Sequence, residues 1–571
     1  MRSITRRELI AGLACSGLGL PTGAAAARQS VGRRSPGERG RTFLQIIRQP
    51  DSVTVFQGLD RPVQLSRLAA QWEDRGVRLR NEVGRDGLRI YVSAPGIHPT
   101  HLRLRWNMAV AGGLLVLGDQ WERSYGDLHW SCLVPERVMP WYFMTHDETS
   151  LHGYGVKTGG GALCFWQVDP GGVSLWLNVC NGGSGVELGD RELVAATVVS
   201  RRGEPGEGQM VAAKAFCATM CGAPRQAPSV IYGSNDWYYA YGKNSAEQIV
   251  RDAELMASVA PAKGERPFTI IDDGWENTKA YPDMAALAQA IRQRGVRPGL
   301  WIRPLKAPRE AAAALLLPAE RFGARTNRRG VLAYDPTSPE ALEAVLAKVK
   351  DAARWGYELV KHDYTTFELF GQWGFEMRAQ PTLPDWHFHD RSRTNAEIVR
   401  ALYVEIRREA GDRTILIGCN TIGHLAAGLF EVQRTGDDTS GRNWERTRRM
   451  GINTLAYRLP QHRTFFLLDA DCVPITTATP WSCNSQWLDL LARSGTVLLV
   501  SAEPAAIAEE QRQALRQAFQ LLQSAGDHAR PIDWQTTTTP GQWEFADRGG
   551  QRVVHREYDW YQHLGAWPYD V

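Results

Sequence analysis

Nowhere in the 571 residues is there a CxxC pair, which removes the usual framework of a structural zinc site. No block of lysine and arginine stands out. The 66 basic residues nearly balance the 62 acidic ones, and the net charge is only +4. A nucleic-acid partner is therefore not expected, because the basic footprint it needs is absent. No GxGxxG turn follows an early strand, so an open, dinucleotide-binding sheet lacks its fingerprint. Beyond residue 27 no 18 apolar residues run uninterrupted, and no membrane span is expected.

Hydrophobic residues at 43% and charged residues at 22% give an ordinary globular composition. The length predicts more than one core. Tryptophan is abundant, 20 in all, and flat apolar rings suit the faces of sugars, although most of them read as core. The first residues run basic (Arg6, Arg7), apolar (Leu9 to Leu20), then small (Ala24 to Ala27). That order predicts an export signal of twin-arginine type over 1–27 and a periplasmic or secreted protein. Eight of the nine cysteines lie beyond Cys15. An oxidising compartment permits disulfides, and the spacing leaves pairing and free thiols equally open.

Residues 28–40 are polar, basic and rich in Gly and Pro, and read as a disordered leader. From 41 to 226 short alternating runs such as VRLRNEV, HLRLRWNMAV and ALCFWQVD predict an all-β region, a large sandwich with almost no helical periodicity. From 227 to 527 eight strand-like runs alternate with amphipathic stretches that open on Ser or Thr caps. Eight strands with interleaved helices over this length predict a (β/α)₈ TIM barrel, whose fifth-to-sixth link, TIGHLAAG, is too short for a full helix. Residues 528–571 read as a short C-terminal β region packed on one of the other parts. The expected fold is thus multidomain, all-β followed by α/β.

Polar residues gather at the ends of the barrel runs: Asp272 and Asp273 after the second, Trp301 and Arg303 after the third, Lys361 and Asp363 after the fourth. Cys419 and Asn420 close the fifth, Arg434, Asp437 and Asp438 the sixth, Asp469 and Asp471 the seventh. In a barrel these ends surround one mouth, where active sites sit. Two carboxylates flanking a sugar give glycosidic cleavage. Lys361, two residues from Asp363 and so on one face of the strand, would favour an ionised nucleophile. Asp437 and Asp438, as neighbours, would raise each other's proton affinity, as a general acid requires.

The order of these motifs resembles the retaining α-galactosidases of glycoside hydrolase families 36 and 27, most closely the bacterial family 36 type. IDDGW resembles the paired-Asp motif that binds the 4- and 6-hydroxyls of galactose, GLWIRP the third-strand motif, and KHD the Lys-x-Asp that carries the nucleophile. IGCN followed by LFEVQRTGDDT resembles the Gly-Cys segment leading into Arg-x-x-x-Asp, and LLDADC the seventh-strand motif. The resemblance implies Asp363 as nucleophile and Asp438, rather than Asp437, as acid/base. It places Arg434 and Lys361 on the sugar, with Asp272, Asp273, Trp237, Trp301 and Cys419 lining the galactose subsite. It implies an oligosaccharide or glycan substrate and no metal, nucleotide or redox cofactor.

Two positions depart from that pattern. Arg303 stands where the resemblance expects Glu, and His362 where it expects an apolar or aromatic residue. A galactosyl-transferring transglycosylase, a hydrolase of α-N-acetylgalactosaminides or β-L-arabinopyranosides, and a non-catalytic carbohydrate binder remain open beside an exported α-galactosidase. A metal at His387 and His389 is not expected: the pair follows the fourth strand, the first strand has no histidine, and only 13 are spread along the chain. Trp121, in GDQWERSYGDLHW, reads as core, and Asp469 and Asp471 as turn residues.

Overall fold

The computed structural model describes residues 43–561 apart from 59, 70, 228, 326–330 and 551. The export signal over 1–27 and the leader over 28–40 lie outside the described residues. The alternating runs of the N-terminal region fold into two antiparallel sheets, one of six strands and one of eight. Val77–Gly84 shows why: Val77, Leu79 and Asn81 are buried while the residues between them face outward or half outward. Leu79 pairs with Val92 of Gly87–Ser93, and that pairing keeps both apolar faces on the same side. Trp106 and Trp166, fully buried, fill the space beneath the six-stranded sheet.

One helix, Gln209–Met220, breaks the expectation of an all-β region. Its apolar and small residues are spread around the axis, so it carries no helical stripe to read. It is seated by glycine. A Cβ on Gly153 would lie 2.0 Å from the Phe216 ring, and one on Gly155 would lie 2.6 Å from the Met220 sulfur. The two glycines of the strand Leu151–Val156 thus form the groove into which the helix sinks.

The eight strands of the α/β part close into one parallel barrel. In order they are Tyr232–Asn235, Phe268–Ile271, Arg297–Ile302, Leu359–His362, Ile415–Gly418, Val432–Arg434, Leu467–Ile475 and Val497–Ala502. Between them lie helices with the expected starts. Ser245 caps Ala246–Val259 through the Gln248 N–H, and Thr394 with Glu397 makes a capping box on Asn395–Ala410. The fifth-to-sixth link holds only the four-residue helix Gly423–Ala426. Glu509–Ser524 is the closing helix.

A three-stranded sheet, Ala525–Pro531, Gln542–Asp547 and Val553–Glu557, ends the described chain. It leans on the barrel, where the Trp444 indole donates to the Trp560 carbonyl at 2.9 Å, and on the sandwich, where Trp534 meets Trp130 edge to face. The described residues belong to one compact unit. A loop of the sandwich ties it to the barrel mouth. The Trp121 indole donates to the Arg378 carbonyl at 2.9 Å, and Arg458 Nε to Asp119 Oδ1 at 2.9 Å. Ser124 adds itself beside Gly436: its N–H donates to the Thr435 carbonyl and its carbonyl accepts from the Asp437 N–H, both at 2.9 Å. Among the described residues no helix is long and apolar enough to cross a membrane, and the eight cysteines there are all free thiols.

Candidate active site

Asp272 follows the second strand and is buried. One of its oxygens accepts from Lys361 Nζ at 2.9 Å and Asn235 Nδ2 at 2.7 Å, the other from the Asp273 N–H at 2.9 Å. A carboxylate offers about four acceptor sites, so one is left for a ligand. Burial and then the charge of Asp272 push the Asp273 carboxyl up. Burial, joined by Asp272, pushes Asp236 beneath them up to about 7. Trp237, half-buried against Tyr241, joins through its N–H, which donates to Asn235 Oδ1 at 3.2 Å.

Lys361 and Asp363 do not form the pair that alternation suggested. Strand four ends at His362, and the extended backbone breaks right after Asp363, at Tyr364 with φ +64°. The two-residue period holds only while the backbone stays extended. Lys361 is therefore the partner of Asp272: burial works against its charge, but the attraction of Asp272 outweighs it and keeps the ammonium firmly charged. Asp363 is half-buried and held by neutral donors, the Tyr364 N–H at 2.7 Å on Oδ1 and the Trp301 indole N–H at 3.3 Å on Oδ2.

The sixth strand delivers Arg434, fully buried. Its guanidinium reaches Asp471 at 2.9 Å, the Cys419 sulfur at 3.4 Å and Asp438 at 3.4 Å. Asp471, at φ +73°, also accepts from the Thr439 N–H at 2.8 Å and from the Tyr238 hydroxyl. Burial pushes the Asp469 carboxyl up to about 6 against the pull of Arg434. Cys419 is a buried thiol, pushed up by burial and the nearby Asp363 charge, and carries no thiolate character.

Asp437 is locked between Arg123 at 2.7 Å and Arg446 at 2.6 Å. Asp438 touches guanidiniums only loosely, Arg434 at 3.4 Å and Arg123 at 3.7 Å, and 38% of its side chain is open. The expectation that the two neighbours raise each other's proton affinity fails. Burial does push the Asp438 carboxyl up, but Arg123 and Arg434, with Lys361 and Arg446 behind them, outweigh it and the net shift is downward. Arg123 comes from the sandwich, as does Tyr125, and sequence reasoning named neither. The only signal was a loop carrying charges beside Trp121.

Asp363, Asp437 and Asp438 line one cleft of about 450 Å³, with Tyr125, Trp373 and Phe375 as its aromatic side. That volume lies within the range of small-molecule sites. A cleft of about 410 Å³ between the helices Pro339–Trp355 and Asn395–Ala410 is lined by residues of those helices alone, among them Leu342, Leu346 and Arg408, and includes none of the strand-end residues. Of the two departures, Arg303 donates from Nε to Glu368 at 2.6 Å. His362 is buried beside Thr365 and edge-on to Phe430, and burial pushes it down to about 4. It packs there as a neutral ring.

No family model matches the chain, and no curated protein matches it. Solved structures do match. The α-galactosidase TtGalA of Thermus thermophilus, in complex with stachyose, is 17% identical, with 77% of this chain and 96% of that one covered and a TM-score of 0.54. The GH36 α-galactosidase AgaA of Geobacillus stearothermophilus is 13% identical, covering 89% of this chain and 78% of that one, with a TM-score of 0.53. The α-galactosidase of Lactobacillus brevis is 14% identical over the same shares, with a TM-score of 0.57. At these identities the likeness establishes the fold, a TIM barrel accompanied by β-rich parts.

Proposed function

We propose that the chain is a retaining glycoside hydrolase that removes terminal α-galactosyl groups from oligosaccharides. The observation that carries this reading is the shared cleft, where Asp363 and Asp438 stand in different surroundings beyond the fourth and sixth strands. Asp363, held by neutral donors with its charge unpaired, attacks the anomeric carbon and forms a β-galactosyl ester. Asp438 gives its proton to the departing oxygen, then takes one from the water that cleaves the ester, and two inversions leave net retention. Asp437 is unsuited to that task because both its oxygens are bound by arginines. Asp272, with one acceptor site to spare, and Asp273 accept from sugar hydroxyls. Tyr125, Trp373 and Phe375 offer flat faces to the leaving group.

The likeness to a structure holding stachyose supports an α-galactosylated oligosaccharide as substrate, and the basic, apolar, small order of residues 1–27 adds export to the reading. The test is hydrolysis of an aryl α-galactoside followed by NMR. α-Galactose as the first product is expected. Release of β-galactose, or an aryl β-galactoside or α-glucoside turned over in preference, sinks the reading.

A further inference from the structure

We propose that Arg303 and Glu368 are positioning residues that aim the carboxylate of Asp363 by clamping Tyr364 from two sides. The inference rests on the reading of Asp363 as nucleophile. Arg303 is the first residue past the third barrel strand, and Glu368 lies on the short helix Thr365–Phe370 that follows Asp363. Arg303 Nε donates to Glu368 Oε1 at 2.6 Å, with Glu368 fully buried and Arg303 18% exposed. The guanidinium carbon sits 4.1 Å from the centre of the Tyr364 ring. A planar cation can do both at once, stacking on a ring while its edge bonds a carboxylate.

Tyr364 is the residue that needs holding. Its φ of +64° is left-handed, a conformation a bulky L-residue keeps only when its surroundings enforce it. That conformation is what turns its N–H onto Asp363 Oδ1 at 2.7 Å. The first turn of the helix Thr365–Phe370 holds the Tyr364 carbonyl through the Glu368 N–H at 2.8 Å, and the Glu368 side chain acts on the ring through Arg303. The Tyr364 ring also stands edge-on to Trp301, at 6.4 Å and 90°, and the Trp301 indole holds the other oxygen of Asp363 at 3.3 Å. Both hydrogen bonds on Asp363 therefore depend on the ring that Arg303 covers. Glu368 Oε2 is buried and has no hydrogen-bond partner among the described residues, so Arg303 is the group that holds this carboxylate in place.

Two measurements test the clamp, made on Arg303→Met, Arg303→Lys and Glu368→Gln in the full chain. The first is kinetic, with one aryl α-galactoside of acidic leaving group and one of poor leaving group. Arg303→Met should lower kcat/KM by about 10- to 100-fold, the scale of a small misplacement of reacting groups. Competitive inhibition by galactose and the melting temperature should hold near wild type. With an acidic substrate whose rate the second step limits in wild type, the rate should become dependent on the leaving group. Arg303→Lys, which keeps the charge and loses the plane, should recover only part of the loss, and Glu368→Gln should show the same change if Arg303→Met does not fold.

The second measurement is the crystal structure of Arg303→Met or Glu368→Gln, in which Tyr364 should leave the left-handed region and the bond to Asp363 should lengthen or break. An unmoved Tyr364, or a loss of activity that merely tracks melting or galactose binding, overturns the proposal. A wild-type chain inert on every α-galactoside would instead overturn the reading of function, and the structural measurement would still decide the clamp.

Discussion

Asp363 takes its hydrogen bonds from uncharged groups, the Trp301 indole and the Tyr364 backbone, while Asp438 stands among the guanidiniums of Arg123 and Arg434. Neutral donors fix where a carboxylate points without cancelling its charge, which suits a group that must attack. Cations set how tightly a carboxylate holds its proton, which suits a group that must give one up and take it back. The first set of contacts comes wholly from the barrel. The second draws one of its two arginines from the sandwich.

The largest expected effect separates the two sides outright. Asp363→Asn should cut turnover of every aryl α-galactoside by about 10⁴-fold or more, the scale of losing a covalent nucleophile, with galactose binding retained in a titration. Next, Asp438→Asn should cost about 10²- to 10⁴-fold on a poor leaving group and far less in the first step with an acidic one, which departs unprotonated. Asp437→Asn should be the milder of the two on the poor leaving group, and equal losses would erase the distinction between the locked and the loose carboxylate.

A smaller effect tests the arginines. With the Asp438 carboxyl held down by Arg123 and Arg434, the proton needed for the first step is lost early as pH rises, so the alkaline limb of kcat/KM should sit at acidic pH. Arg123→Met removes one of those charges, raises the proton affinity of Asp438 and should move that limb to higher pH, read from the pH profile. A limb that stays put or moves down would refute the role given to the sandwich cation. The smallest effect belongs to Trp301→Phe. Losing one long hydrogen bond to Asp363 should lower kcat by roughly tenfold, or about 1.4 kcal/mol, with no change in the pH profile.

Much of this arrangement was legible in the chain. The eight barrel strands announced themselves as short apolar runs ending in polar residues, and the helices between them carried real caps such as Ser245 and Thr394. The strand ends brought Asp272, Trp301, Lys361, Cys419 and Arg434 to one network because neighbouring parallel strands finish at one rim. Three things were hidden for physical reasons. The helix Gln209–Met220 shows no apolar stripe because Val211 and Ala218 put apolar residues on its exposed face as well. The partner of Lys361 was misjudged because the strand stops one residue before Asp363. Arg123 lies 314 residues before the Asp437 it binds, and no local pattern records a contact across that separation.

The Arg123 contact has a practical side. A gene trimmed to its barrel, cut near residue 227, would encode every proposed nucleophile, acid and sugar ligand and still lack a wall and a cation. Anyone grafting this barrel onto another leader sequence, or swapping the upstream region between relatives, would need to carry the stretch around residues 119–125 along with it, because the seam between the two folds is itself a wall of the cleft that holds Asp363 and Asp438.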